Sequence, residues 1–286
     1  MNNVIREMLT RFSVNELTEK KDALKEVLQE VILCGLSRAG FFQKTAFYGG
    51  TALRIFHGLD RFSEDLDFSL QTADGSFSLS DFFSVLRKEV ASFGLNLEIT
   101  EKVKTRESAI QSAFLKGNTK EHMLIFFNAD QSVESIPGNE KIKIKFEVDT
   151  NPPASASFER RYRLLPVPYE VMLYDMPSLF AGKVHAVICR AWKSRIKGRD
   201  LYDYVFFLSK GAHLNTDHLK ARLVQSGIWD SEDSFSIADA KRLLCDRFEA
   251  IDYSQAKADV IPFLKDSASL EIWSADFFRQ ITEGLQ

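Results

Sequence analysis

The hydrophobic positions of the chain change their spacing near residue 150. Before that point, stretches with the helical period of about 3.6 residues alternate with stretches in which apolar and polar residues take turns. After residue 178, the helical spacing continues almost to the C-terminus. The pattern predicts an α+β half followed by a helical half, and no internal repeat interrupts either one.

Two helices and four strands are predicted in the first half. The helices cover residues 15–39 and 78–94, where apolar residues recur three or four positions apart. The strands are predicted at residues 61–70, 95–100, 122–129 and 141–150. The last strand alternates strictly, so that its isoleucines, Phe146 and Val148 share one face while its lysines, Glu147 and Asp149 share the other.

Prolines mark the predicted boundary between the two halves. Pro152 and Pro153 end the last predicted strand, and three more prolines follow before the helical part begins. We therefore expect an α/β domain over residues 1–150, a connector over 151–177 and a mainly helical C-terminal domain over 178–286.

Composition excludes several classes of protein. The 286 residues carry 37 basic and 40 acidic side chains, a formal charge of −3, with 45% hydrophobic residues. This balance excludes a broadly basic nucleic-acid coat protein and an acidic disordered segment. The 24 phenylalanines predict a large buried core. Neither a signal peptide nor a membrane-spanning run is visible, and the three dispersed cysteines suit a reducing compartment, so we expect a cytoplasmic protein without membrane contact.

A double glycine followed by paired aspartates is the first candidate for chemistry. Gly49, Gly50 and Thr51 precede Asp65 and Asp67 by a short interval. Glycines let a phosphate approach the backbone, and a helix that starts there directs N–H groups toward it. The alternation of a strand puts both aspartates on one face, where two carboxylates form an oxygen site suited to Mg²⁺. Each piece alone is common in turns and on solvated surfaces.

A third carboxylate is expected from the strand at 141–150. Both Glu147 and Asp149 lie on its polar face, and either completes the acid cluster if this strand lies beside the one with the aspartate pair. The sequence does not choose between them. Glu147 is slightly favoured because it lies further from the break at Asn151. Three lysines on the same face support the alternative of an ordinary solvent-facing surface.

A basic segment without acids begins the helical half. Between Lys183 and Arg199 the sequence has six bases: Lys183, Arg190, Lys193, Arg195, Lys197 and Arg199. Asp200 and Asp203 open the next helix, where acids suit the helix dipole. The segment is either a basic loop between helices or a surface that contacts triphosphate or nucleic acid.

Together these motifs resemble the AbiEii/AbiGii family of nucleotidyltransferase toxins, found in type IV toxin–antitoxin and abortive-infection systems. The resemblance rests on YGGTALR, six residues, RFSEDLDF, a strand ending in KFEVD, an AGKxxAxxxR helix and GRDLYDYVFFL, and it covers about residues 44–210. It implies an α+β fold: a polymerase-β-like nucleotidyltransferase core, with a mixed sheet and flanking helices, and a helical C-terminal domain.

The resemblance also implies a site. Gly49, Gly50 and Thr51 would hold the triphosphate, Asp65 and Asp67 would bind Mg²⁺, with Mn²⁺ as an alternative, and Glu147 or Asp149 would be the third metal ligand. Lys183 would contact nucleotide phosphates, and Asp200 would activate the acceptor or fix Lys183. Among the remaining polar residues near the motifs, Arg61 would offset triphosphate charge, while Ser63 would contact phosphate or serve only as a turn hydroxyl.

The implied activity is transfer of a nucleoside monophosphate from an NTP to an acceptor, with tRNA favoured, and the implied partner is an antitoxin encoded nearby. Two other readings use the same acids. A DxD nucleotide-sugar transferase would chelate a diphosphate-bound metal, but it does not need the spacing from the glycines or the RDxxD helix. A non-catalytic protein that binds nucleotide and acts through protein contacts is the second alternative.

Overall fold

A computed structural model of the protein describes residues 3–102, 109–126, 131–190 and 197–286. The chain divides into two compact units. Unit 1 comprises Met1–Thr51, Ser63–Pro152 and Arg160–Leu173, and unit 2 comprises Ala52–Phe62, Pro153–Glu159 and Tyr174–Gln286. The division differs from a simple cut in sequence, because Ala52–Phe62 of the first half clusters with the C-terminal helices, while Arg160–Leu173 of the predicted connector clusters with unit 1.

The strands are β1 (Thr45–Tyr48), β2 (Leu66–Leu70), β3 (Glu98–Lys102), β4 (Ile110–Asn118), β5 (Lys141–Asp149), β6 (Phe158–Arg163) and β7 (Tyr169–Tyr174). The helices of the first part are α1 (Asn3–Leu9), α2 (Leu17–Arg38), α3 (Gly49–His57), α4 (Phe83–Ser92) and α5 (Thr119–Phe126). Those of the second part are α6 (Met176–Cys189), α7 (Gly198–Ser209), α8 (Thr216–Gln225), α9 (Ile237–Phe248), α10 (Tyr253–Val260) and α11 (Ala275–Thr282).

The described strands form one sheet of seven in the order β3-β4-β5-β2-β1-β7-β6. The sheet is mixed: β2 runs parallel to β5 and β1 parallel to β7, whereas β1 and β2 are antiparallel, as are β4 and β5. A mixed sheet with helices packed against it is the α+β architecture that the sequence predicted. The expectation that the aspartate strand and the 141–150 strand are neighbours is confirmed, since they are β2 and β5.

Most predicted elements appear at the expected places, but the strand predicted at 122–129 is wrong. Its described part belongs to α5, and residues 127–129 lie outside the described residues. The backbone N–H of Glu121 donates to the Asn118 side-chain oxygen at 2.9 Å, which satisfies a free donor at the start of the helix. A short apolar run fits either a strand or a buried helix. Here the side chain of Asn118, which precedes the run, caps the start of a helix.

The range 151–177, predicted as a connector, contains β6 and β7. Two of its prolines, Pro166 and Pro168, lie between these strands, where a missing N–H removes no ladder hydrogen bond. The prolines therefore indicated a turn between two strands at the end of the sheet.

Phenylalanines fill the core of unit 1. The Phe41 ring is fully buried and meets the rings of Phe68 and Phe82 edge to face, with centroids 5.0 and 5.1 Å apart. Edge-to-face contacts of this kind add to the stabilisation that comes from burying the rings. The expected phenylalanine-rich core is thus present.

Unit 2 has its own aromatic core, built on α6, α7 and α9. The Phe180 and Phe207 rings stack with centroids 4.6 Å apart, and Tyr204 and Phe248 are buried beside each other. Among the described helices of the chain, none combines the length and apolar character needed to cross a membrane.

Candidate active site

The pairing of β2 with β5 brings two acids together in unit 1. Asp67 is aligned with Glu147, and Ser69 is aligned with Asp149. Aligned residues of neighbouring strands present their side chains on the same face of the sheet. The register therefore places Glu147, rather than Asp149, directly beside Asp67. Asp149 instead accepts a hydrogen bond from the backbone N–H of Asn151 at 2.9 Å.

Gly49 stands where β1 turns into α3, against the Asp67 carboxylate. Its φ is +85°, which L side chains rarely adopt, and a Cβ there would lie 2.7 Å from Asp67 Oδ2. Both the turn and the close approach therefore require glycine. The glycine motif and the aspartate motif are neighbours in space, because Tyr48 pairs with Asp67 across β1 and β2. Gly50 is buried in the first turn of α3.

The loop that leads to Asp65 is held from inside unit 1. Thr51 Oγ1 donates to the Asp65 carbonyl oxygen at 2.5 Å and lies 2.9 Å from Ser63 Oγ. Gln29 Nε2 donates to the carbonyl oxygens of Ser63 and Glu64, both at 2.9 Å. Thr51, Ser63 and Gln29 are all buried. The described contacts of Thr51 and Ser63 therefore fix the position of Asp65, and their predicted contacts with triphosphate stay predictions.

Glu147 is held by two neighbours. Ser112 Oγ donates to Glu147 Oε1 at 2.8 Å, and Lys145 Nζ donates to Glu147 Oε2 at 2.5 Å. Partial burial acts to lower the pKa of Lys145, but the hydrogen bond and charge of Glu147, together with the charges of Asp65 and Asp67, outweigh it and raise the pKa. Lys145 thus lies in the field of all three acids.

The chemistry of these donors fits Mg²⁺, which prefers carboxylate oxygens. The Asp67 carboxylate occupies the space that a side chain at Gly49 would fill, so the lack of a side chain at Gly49 makes room for it. Nevertheless, among the described residues no group of three or more His, Cys, Asp or Glu side chains is arranged to hold a metal ion. Lys145 Nζ, 2.5 Å from Glu147 Oε2, occupies one oxygen of the third acid.

Unit 2 contains a second charged cluster, and it includes two of the predicted catalytic residues. Lys183 on α6 has its Nζ 3.1 Å from Asp200 Oδ1 and 2.7 Å from Asp203 Oδ2, both on α7. Arg61 Nε and Nη2 donate to the two oxygens of Asp203 at 2.6 and 2.7 Å. Arg190 Nη1 lies 2.5 Å from Asp200 Oδ2.

The charges of this cluster do not cancel. Three bases, Arg61, Lys183 and Arg190, face the two acids Asp200 and Asp203, which leaves a formal charge of +1. Burial acts to raise the pKa of Asp203, but the charges of Arg61 and Lys183 outweigh it and hold the pKa below its usual value. The two parallel hydrogen bonds between the Arg61 guanidinium and the Asp203 carboxylate fix the geometry of this pair. It leaves Lys183 as the ammonium held between the two aspartates.

The structure gives Arg61 and Asp200 defined partners. The Arg61 side chain is 3% exposed and bound to Asp203, so its described contacts stabilise α7, and its role toward triphosphate stays a prediction. Asp200 Oδ1 accepts a hydrogen bond from Lys183 Nζ at 3.1 Å, and its role in fixing this lysine for nucleotide binding stays a prediction. Activation of the acceptor by Asp200 likewise stays a prediction.

Several bases of the basic segment have acidic partners that the sequence did not indicate. Lys183 and Arg190 pair with acids of α7, and Arg199 lies 3.7 Å from Asp259 with its guanidinium 4.1 Å from the centre of the Phe263 ring. Lys193 and Arg195 lie outside the described residues. Acids of α7 and α10 therefore pair with bases that looked unpaired in the sequence.

Sequence reasoning missed two residues of these clusters. Asp203 was read as a helix-capping acid, although it is fully buried between Arg61 and Lys183. Lys145 was counted as part of a solvent face, although it binds Glu147. The signals were present: Asp203 follows Asp200 by one helical turn, and Lys145 precedes Glu147 by two residues on the same strand face.

A family model and solved structures are similar to this chain. The model of the family described as "Nucleotidyl transferase AbiEii toxin, Type IV TA system" matches residues 31–280. Among solved structures, JHP933 from Helicobacter pylori is similar with a TM-score of 0.51 and 17% identity, over 95% of this chain and 92% of that one. MenT4, a nucleotidyltransferase toxin from Mycobacterium tuberculosis, has a TM-score of 0.47 and 16% identity, over 98% and 87% of the two chains. A search of the curated proteins gives no match.

Proposed function

Because the chain belongs to the AbiEii family of nucleotidyltransferase toxins, we propose that it transfers a nucleoside monophosphate from an NTP to tRNA in a Mg²⁺-dependent reaction that inhibits growth. The observation that carries the proposal is the pairing of Asp67 with Glu147 across β2 and β5, beside Gly49 at the start of α3. An acid pair next to a glycine turn is the chemistry that a metal-bound triphosphate needs.

Each group of residues has a role in the proposal. Asp65, Asp67 and Glu147 would hold Mg²⁺, which supplies charge neutralisation to the phosphates when it is bound. Gly49, Gly50 and Thr51 would place backbone N–H groups toward the triphosphate. Lys183 would bind phosphate oxygens, because its cluster carries one net positive charge. Phosphoryl transfer depends mainly on such positioning and charge stabilisation, so no further nucleophile on the protein is required.

We propose tRNA as the acceptor and an antitoxin encoded nearby as the partner in the cell. The antitoxin is supported by the family, whose description names a type IV toxin–antitoxin system. The near-neutral total charge of −3 means that an RNA acceptor would dock on a local basic surface rather than on the whole molecule.

Transfer of label tests the proposal. The full chain is incubated with Mg²⁺, each of the four labelled NTPs and total bacterial tRNA, and the RNA is separated and counted. We expect transfer by the wild type, and a fall of about a thousandfold with Asp65→Asn or Asp67→Asn, comparable to the loss of a central electrostatic group in other active sites. Asp81→Asn, an exposed acid in the turn before α4, is the control that should remain active.

Two outcomes would contradict the proposal. The first is the absence of label in RNA with every NTP. The second is equal labelling by wild type and the aspartate variants, which would trace the activity to a contaminant. Tight NTP binding without turnover would identify a non-catalytic nucleotide-binding protein instead, and release of label from a nucleotide sugar would identify a sugar transferase.

A further inference from the structure

The polar face of β5 carries a cation next to the acids proposed for the metal. Lys145 and Glu147 are two residues apart on one strand and so share a face of the sheet, and Asp67 is aligned with Glu147 on β2. The Lys145 ammonium lies 2.5 Å from Glu147 Oε2. The other oxygen of Glu147, Oε1, accepts a hydrogen bond from Ser112 Oγ at 2.8 Å.

This contact conflicts with metal binding at the same oxygen. A magnesium ion lies about 2.1 Å from its oxygen ligands and demands a nearly ideal octahedron. An ammonium group in contact with Glu147 Oε2 occupies part of that space and repels the ion. The Lys145 side chain is 32% exposed, so it can turn toward solvent without leaving a buried charge behind.

The same contact stabilises the protein when no metal is bound. The aligned carboxylates of Asp67 and Glu147 repel each other, and the Lys145 ammonium offsets part of that repulsion. Removing the ammonium would therefore weaken the metal-free protein and strengthen its attraction for a divalent cation. Lys143, two residues earlier on the same face, has its Nζ 3.8 Å from the centre of the Phe114 ring, and it provides a matched lysine without this role.

We infer that Lys145 is a built-in counter-cation of the acid cluster and that a divalent metal ion must displace its ammonium group from Glu147. The inference rests on the proposed function, since it takes these acids to be the metal site. It goes further by assigning a role to Lys145, to which the resemblance assigns none, and it makes metal affinity without nucleotide weaker than the acids alone would give.

The test measures Mn²⁺ binding to the full metal-free chain by electron paramagnetic resonance, without NTP or RNA. We expect Lys145→Gln to bind Mn²⁺ about tenfold more tightly than the wild type, which corresponds to about 1.4 kcal/mol. Lys145→Arg keeps the charge and should match the wild type, and Lys143→Gln should bind within about twofold of it. Adding Asp67→Asn to Lys145→Gln should abolish the increase in Mn²⁺ affinity, because that increase depends on the carboxylate of Asp67.

Melting temperature supplies the second readout. Without metal, Lys145→Gln should melt below the wild type, and saturating Mn²⁺ should raise its melting temperature more than it raises that of the wild type. Equal or weaker Mn²⁺ binding by Lys145→Gln would overturn the inference, as would the absence of binding by every variant. Nucleotidyl transfer is measured in a separate assay. If Mn²⁺ binding by the variants follows these expectations and transfer still fails, the result counts against the proposed function alone.

Discussion

At the scale of the residue, the charged side chains of the unit 2 cluster depend on a buried partner. Asp203 is the clearest case: it is fully buried, its two oxygens receive the Arg61 guanidinium, and one of them also receives Lys183. A buried carboxylate is tolerated only when its charge is paired and its hydrogen bonds are satisfied. Asp203 meets both conditions, so it acts as an anchor between α6 and α7.

Removing the charge of Asp203 should lower the free energy of unfolding more than removing an exposed charge does. Asp203→Asn leaves Arg61 without its carboxylate, so we expect the free energy of unfolding to fall by about 3–5 kcal/mol in urea denaturation. Replacing both partners, as in Arg61→Met with Asp203→Leu, should recover part of the loss. Glu170→Gln is the control, because its pair with Arg160 is exposed and should change stability by less than about 1 kcal/mol. Equal effects of the two single variants would refute the anchoring role.

At the scale of the element, a close approach of two backbones positions the helix that carries Asp200 and Asp203. A Cβ at Gly198, the first residue of α7, would lie 1.8 Å from the Ala256 carbonyl oxygen on α10. The helix start therefore rests directly on the backbone of α10. Any side chain at this position would push α7 away from it and shift both aspartates with it.

Gly198→Ala should accordingly destabilise the protein by about 3 kcal/mol, the upper end of what overpacking costs. Ala256→Gly in the same chain should not rescue it, because the clash is with a backbone oxygen and not with the alanine side chain. Gly138→Ala, where a Cβ meets nothing within 4 Å, is the control and should be nearly neutral. Chemical denaturation followed by circular dichroism measures all three, and rescue by Ala256→Gly would disprove the backbone contact.

Some helices and strands could be predicted from the sequence and others could not. Periodicity sufficed for α2 and β5, whose patterns are long and regular. It failed at residues 122–126, where a short apolar run suits two structures, and at β6 and β7, whose flanking prolines resembled a connector. The motifs predicted which residues gather at β2, but the register of Asp67 with Glu147 depends on long-range pairing, and local pattern does not encode it.

At the scale of the whole molecule, the net charge of −3 hides separate charged clusters. Unit 1 gathers acids around one lysine, and unit 2 gathers three bases around two acids. Each is a local arrangement of opposite charges drawn from distant parts of the sequence. Neither cluster is neutral by itself, because unit 1 sets three acids against Lys145 and unit 2 sets two acids against three bases.

The pH dependence of stability can be tested at two histidines of unit 2: His218 is buried and His185 is half-buried. Burial lowers the pKa of His185 and of His218 to about 4, below the ordinary value of 6.5, and nearby arginine charge adds to the effect. Both are therefore neutral in the folded chain at pH 7. As pH falls from 6.5 toward 4, the unfolded chain takes up protons that the folded chain does not, so stability falls across this window and is retained above it.

We expect the two histidines together to remove a few kcal/mol between pH 6.5 and 4, since each pKa unit is about 1.4 kcal/mol. The measurement is urea unfolding at a series of pH values for the wild type and for His185→Gln with His218→Gln. The double variant should start less stable, because His218 also bonds the Ala154 carbonyl, but its stability should fall less steeply with acid. His213→Gln, at an exposed position, should keep the slope of the wild type. Parallel curves for the wild type and the double variant would show that other groups control the acid sensitivity.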